Sequence, residues 1–247
     1  MSKVVLVTGG AKGIGAAICK ELALQGYDVV INYLTSEKEA NSLQSELSSK
    51  YAIKVLAIKC DVSKEDQVDS MVKEIESKFG GVDVLINNAA IDLSSMWHEK
   101  KVEDFRKTLD TNVVGAYNVA RRVYKHMLDK KWGRIINISS TNGINTYYPM
   151  CLEYDASKAA LISLTHNLSI EFAPYVTVNA IAPGFIGTES ELKGYDDEFL
   201  KSEQEKILVG RYGNPEEVAK LVAFLVSEDA SYINNSVIRI DGGQYGA

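Results

Sequence analysis

Tyr154 and Lys158 stand four residues apart in the run Tyr154-Asp155-Ala156-Ser157-Lys158. On a helix, that spacing puts a phenol and an ammonium side by side on one face. A free phenol ionises near pH ~10. A neighbouring ammonium favours the phenolate and draws the pKa toward neutrality, as acid–base catalysis requires. The same spacing also arises in ordinary helices, so its meaning depends on what the rest of the chain assembles around it. A second chemistry-bearing stretch is Thr8-Gly9-Gly10-Ala11-Lys12-Gly13-Ile14-Gly15, which follows the apolar run Val4-Val5-Leu6-Val7. Glycines there let the backbone turn tightly and approach a diphosphate, and the N-terminus of the following helix attracts its charge.

Strand-length apolar runs alternate with helical patterns from end to end. The expected strands cover 3–8, 28–33, 54–61, 82–89, 134–140, 177–182 and 236–241. They are rich in Val and Ile without polar alternation, as parallel strands covered on both faces are. The expected helices cover 13–25, 36–50, 64–78, 101–131, 154–173 and 215–227, with Ser63, Pro174 and Asn214-Pro215 as boundary signals. The rhythm predicts an α/β fold of one domain over 1–247: a doubly wound parallel (Rossmann) sheet of about seven strands with helices on both faces. Both chemistry-bearing stretches then fall at the carboxyl ends of strands, where such sheets bind ligands. The polar excursion 184–211, with Gly187 and Gly194 as hinges, is expected to form a substrate lid, or else a plain surface hairpin.

Composition narrows the function classes. A net charge of −6 argues against a nucleic-acid binder, and no apolar run is long enough to span a bilayer. Cys19, Cys60 and Cys151 share no metal or redox spacing, nor do His98, His126 and His166, so no metal is expected. With no signal-peptide pattern, the chain reads as cytoplasmic. One segment breaks the acidic balance. Residues 121–134 hold six cations (Arg121, Arg122, Lys125, Lys130, Lys131, Arg134) against Asp129 alone. They read as the solvated C-terminal face of a helix, or as a docking patch for an acidic partner.

The second strand ends Ile31-Asn32-Tyr33-Leu34. No acid stands at its tip to accept the two ribose hydroxyls of NAD. Lys12 in the glycine loop is placed for a 2′-phosphate, which favours NADP(H) over NAD(H). Glu37 works against that preference. Asp61-Val62, after the third strand, either positions the adenine or caps the next helix.

With these pieces in order, the chain resembles the short-chain dehydrogenase/reductase family over essentially its whole length. The segment from Thr8 to Gly15 fits the family's cofactor loop, giving Gly9, Lys12, Gly13, Ile14 and Gly15 as cofactor contacts along with Asn32, Tyr33, Asp61 and Val62. Asn87-Asn88-Ala89-Ala90 looks like the motif after the fourth strand, with Asn88 and Ala89 facing the cofactor and Ala90 where glycine is commoner. Pro183-Gly184 with Ile186 and Thr188 resembles the segment that holds the nicotinamide carboxamide. The resemblance implies a catalytic tetrad of Asn112, Ser140, Tyr154 and Lys158. Tyr154 would pass a proton to the carbonyl oxygen and Ser140 would hydrogen-bond it. Lys158 would lower the tyrosine pKa and bind the nicotinamide ribose, and Asn112 would hold a proton-relay water. Ser139 competes with Ser140, which is preferred because it falls at the strand end.

Within the family the chain is most similar to the 3-oxoacyl-[acyl-carrier-protein] reductases of fatty acid biosynthesis. Lys130 and Lys131 fall where that group presents cations to acyl carrier protein. Ile170 stands where a second docking arginine is frequent, and the loop 145–153, with Tyr147, Tyr148, Met150 and Cys151, is bulky. A sugar, polyol or steroid dehydrogenase of the same family, or an NADP-sensing protein without turnover, are the other readings. The resemblance also implies a homo-oligomer, dimer or tetramer.

Overall fold

The computed structural model describes residues 2–245. Seven strands form one wholly parallel sheet in the order β3-β2-β1-β4-β5-β6-β7. They are β1 (Val4–Val7), β2 (Asp28–Tyr33), β3 (Val55–Lys59), β4 (Val84–Asn87), β5 (Gly133–Ile138), β6 (Val176–Pro183) and β7 (Val237–Ile240). The helices are α1 (Gly13–Leu24), α2 (Glu37–Lys50), α3 (Glu65–Phe79), α4 (Val102–Leu109), α5 (Gly115–Asp129), α6 (Leu152–Glu171), α7 (Glu189–Gly194), α8 (Asp197–Glu205) and α9 (Pro215–Val226).

The continuous apolar strands have the cause expected of them. Val5, Val7, Val29, Ile31 and Ile136 pack on one side of the sheet against α1, α2 and α9. Their neighbours Val4, Leu6, Val30 and Ile135 pack on the other against α3, α5 and α6. Because successive side chains alternate faces, burying both faces leaves the central strands mostly apolar, and the polar exceptions such as Asn32, Asn87 and Asn137 are hydrogen-bonded inside the fold. The edge strands β3 and β7 are only partly covered.

Two boundaries depart from the sequence reading. Ser63 does not cap α3: it joins a turn around the Asp61 carboxylate, and Lys64 precedes the helix without a side-chain cap. The single helix expected over 101–131 is two helices, α4 and α5, joined by a π-helical turn at Asp110–Val114. Such turns are uncommon and concentrate at functional sites. This one carries Asn112.

Strand order reverses between β1 and β4, which opens a crevice at their carboxyl ends. The loops after β1, β4, β5 and β6 all empty into it. Among the described residues, no helix is long and apolar enough to cross a membrane.

Candidate active site

A cavity of about 410 Å³ lies over the ends of β4, β5 and β6, walled by Ser140, Tyr154, Lys158, Tyr148, Phe185, Glu191, Tyr195, Phe199 and Asp92 among others. A second cavity, of about 790 Å³, runs past the ends of β1 and β2 and includes Gly9, Lys12, Asn32, Tyr33, Asp61, Val62, Asn88 and Ala89. Asn88 and Ala90 line both, so the two form one continuous groove.

Each element earns its place at this groove. Gly9 turns with φ 60°, and a Cβ on Gly15 would sit 2.4 Å from the Gly9 carbonyl and 2.7 Å from Asn88 Nδ2. Only glycine fits there. Thr8 Oγ1 accepts from the backbone N–H groups of Asn88 (2.9 Å) and Ala89 (3.0 Å), locking the glycine loop to the end of β4. Asn32 is a brace: buried at 2% exposure, it accepts from Gly9 N and donates to Cys60 O. Its side chain is therefore committed to the protein rather than to a ligand. The Asp61 carboxylate is likewise taken up by Ser63. Thr188, which caps α7, lies across the groove beside Gly13, so the segment 183–188 overhangs the glycine loop. Pro183, Gly184, Ile186 and Ile14 line the larger-walled part of the groove beside Tyr154.

Lys12 forms an ion pair with Glu39 at 2.8 Å. The acid that meets Lys12 is thus Glu39 on α2, two residues beyond Glu37. The expected outcome of Glu39→Gln is a several-fold rise in NADPH over NADH preference, and of Lys12→Ala a fall of roughly tenfold, read as the ratio of kcat/KM values.

At the other end, the serine choice resolves by direction. Ser139 Oγ donates to the Lys158 carbonyl, 2.9 Å away inside α6, and is spent. Ser140 lines the cavity and lies within reach of Tyr154, whose phenol it stabilises as the anion. Asn142 holds Ser140 through its backbone N–H (3.2 Å) and its Oδ1 (3.2 Å), and is itself held by Asp155, which also accepts from Tyr148 N. Tyr147 points outward, while Tyr148 turns inward and donates to buried Glu203 on α8 at 2.5 Å. The sequence reading treated this pair alike; only one lines the pocket.

The electrostatics correct one expectation. Tyr154 is held above the ordinary phenol range, first by burial and then by the carboxylates of Asp92 and Glu191. Lys158 does not offset this, because its Nζ donates to Ile138 O at 2.8 Å and lies 5.2 Å from the Tyr154 ring centre. Burial lowers Lys158 itself to about 8. The phenol therefore keeps its proton at neutral pH, which suits a proton donor.

Asn112 is also placed differently from its expected role. Its Oδ1 accepts from Ile91 N (2.8 Å), and its Nδ2 donates to Ile91 O (3.0 Å) and Ser157 Oγ (2.9 Å). The side chain ties the β4 loop to α6, so any relay water must be held by the main chain of the π-helical turn.

These features have counterparts in known proteins. A family model described as enoyl-(acyl carrier protein) reductase matches residues 9–244. The chain is 40% identical over 247 residues to an acetoacetyl-CoA reductase of Rhizobium meliloti, covering 99% of both. It is 38% identical over 244 residues to a 3-oxoacyl-[acyl-carrier-protein] reductase of Aquifex aeolicus, covering 98% of this chain and 97% of the other. The chain belongs to the short-chain dehydrogenase/reductase family. It is an oxidoreductase, and its relatives imply a nicotinamide cofactor. A solved short-chain dehydrogenase/reductase of Serratia marcescens, a double mutant, superposes with a TM-score of 0.91 at 35% identity, covering 98% and 97% of the two chains.

The groove fits such a cofactor on its own evidence. The cradle at Gly15 admits no side chain, and α1 begins without a side-chain cap, leaving its first N–H groups for an anion.

The basic segment is largely consumed within the fold. Arg121 pairs with Glu65, Arg122 with Asp69 and Arg134 with Glu228; Lys130 shares buried Asp83 with His126. Among the described residues, Lys125 and Lys131 make no ion pair, and Lys131 lies over the Tyr175 ring. Sequence reasoning also missed the pair Lys100–Glu153, which joins elements that the chain separates, and the local i,i+3 pair Lys206–Glu203 at the end of α8.

Proposed function

We propose that this protein is an NADPH-dependent reductase of 3-oxoacyl thioesters, with the acyl group carried on acyl carrier protein. The observation that carries the reading is the convergence of Tyr154, Ser140 and Lys158 on one wall of a cavity continuous with the glycine-loop groove. Relatives reducing acetoacetyl-CoA and 3-oxoacyl carrier-protein substrates support the thioester. A bound nicotinamide coenzyme supplies the hydride. Gly9, Gly13, Ile14 and Gly15 would hold its diphosphate, Tyr33 and Val62 its adenosine half, and Asn88, Ala89 and the 183–188 segment its nicotinamide half.

The protein's own part is positional and electrostatic. The Ser140 hydroxyl, turning its proton from Asn142 Oδ1 to the substrate carbonyl oxygen, would stabilise the negative charge that grows there. Tyr154, kept protonated by its burial, gives its proton to that oxygen. With coenzyme bound, the Lys158 ammonium would have to turn from Ile138 O toward the ribose hydroxyls, where it would also stabilise the phenolate left behind. Asn112 holds the π-helical turn and α6 in register, so that a water at the turn's main chain can return the proton.

The test is a substrate panel with both coenzymes: acetoacetyl carrier protein, acetoacetyl-CoA, sugars, polyols and steroids. Thioester reduction with NADPH is the expected result, and activity confined to a sugar or steroid would overturn it. With most of the basic segment internally paired and Ile170 exposed at 73%, a free coenzyme A thioester is the second reading. A carrier-protein KM no lower than that for the coenzyme A thioester would favour it.

The pH profile follows from Lys158. Its charge is lost as pH rises through about 8, so kcat for reduction is expected to fall above that pH, by up to about tenfold per unit. The folded pKa lies below the unfolded 10.5. Between those values the unfolded chain holds more protons, and this group's contribution to stability rises with pH. Activity falling while thermal stability holds is the signature to look for.

A further inference from the structure

We infer that Asp92 and Glu191 make the reacting cavity a charge filter, admitting 3-oxoacyl groups masked as neutral thioesters and turning away free 3-oxo acids. The inference rests on the reading of this cavity as a carbonyl-reducing site.

The two carboxylates come from separate elements, Asp92 from the loop after β4 and Glu191 from α7, and both line the cavity that holds Tyr154. Neither forms an ion pair among the described residues. Asp92 accepts from neutral donors, the Ser94 hydroxyl at 2.7 Å and the Cys151 thiol. Lys158 is the one cation in the lining, and it is turned away to Ile138 O. Much of the remaining wall is apolar or aromatic: Tyr148, Met150, Phe185, Tyr195 and Phe199. Both carboxylates are solvent-exposed, so their negative charge meets an incoming substrate at the cavity wall and is screened as salt rises. After burial, the larger cause in each case, both carboxylates raise the Tyr154 phenol and Asp92 raises Glu191, as two acids facing one cavity do.

A 3-oxo acid carries its carboxylate two bonds from the reacting carbonyl, inside that field. In a thioester the same carbon is neutral, and the nearest anionic group lies at the far end of the pantetheine arm. The cavity therefore reduces the acyl group while it is tethered and spares the acid released by thioester hydrolysis. The reaction that supplies its substrate must be one that leaves the acyl group on sulfur.

Acetoacetamide and acetoacetate, nearly equal in shape and differing by one charge, read the filter. With the wild-type enzyme at low ionic strength, kcat/KM for the amide is expected to exceed that for the acid by roughly 10–100-fold, narrowing as salt rises. Asp92→Asn with Glu191→Gln should raise the acid-to-amide ratio about tenfold or more. Equal kcat/KM for the pair in the wild type at low salt, or a ratio unmoved by the double substitution, overturns the filter. Failure to reduce either acetoacetamide or an acetoacetyl thioester overturns instead the carbonyl-reductase reading on which it rests.

Discussion

Tyr154→Phe is expected to lower kcat for carbonyl reduction by about 10²–10⁴-fold while leaving coenzyme affinity within a few-fold. The substitution removes one oxygen and nothing of the ring, so packing in the cavity wall is kept. What disappears is the protonated hydroxyl that hydrogen-bonds with Ser140 in the cavity wall. Coenzyme fluorescence titration and steady-state kinetics on acetoacetyl thioester together make the check. Retained turnover would transfer the proton donor to another group or to solvent. Lost coenzyme binding would mean that the ring hydroxyl, rather than the proton, was needed. Ser140→Ala should cost less, since a growing charge that loses one hydrogen bond still has Tyr154. Ser139→Ala is a control, because its hydroxyl is spent on the Lys158 carbonyl.

The sheet and the meeting of Tyr154 with Lys158 on one helix were legible because both are written in local sequence. Central strands that must be apolar on both faces leave runs such as Val4-Val5-Leu6-Val7, and a helical spacing of four places Tyr154 beside Lys158 wherever the helix goes. What was not legible depends on partners brought together by folding. Glu39, rather than Glu37, meets Lys12 because the choice turns on the phase of α2. The Tyr154 shift is set first by burial, then by Asp92 and Glu191, which lie 62 and 37 residues away in the chain, while Lys158 is held by a carbonyl acceptor. The side-chain partners of Asn112, Ile91 and Ser157, belong to two other elements and could not be read from its own stretch of sequence. The docking face shrank for the same reason. Asp83, silent in the sequence as a strand-start acid, neutralises Lys130 from below.

Lys100→Met is expected to be the most destabilising single change near the site, by about 3–5 kcal/mol. Lys100 reaches from the loop before α4 to the Glu153 carboxylate at 2.6 Å and to the Met150 carbonyl at 2.7 Å. Glu153 is 1% exposed, and its second oxygen, Oε1, has no hydrogen-bond partner. Removing the ammonium leaves a carboxylate buried beside Tyr154 with neither water nor counter-charge. A chain of this size should lose roughly 6–20 °C in melting temperature. The cost lies in the stranded charge rather than in the lost bond, which the double variant Lys100→Met with Glu153→Leu separates. Replacing both partners by apolar groups should recover most of the stability. Recovery of stability without recovery of kcat would show that the pair also sets the start of α6, one residue before the phenol. If the single variant melts within a few degrees of the wild type, the carboxylate has found protons or water in the fold, and the pair is not a clamp.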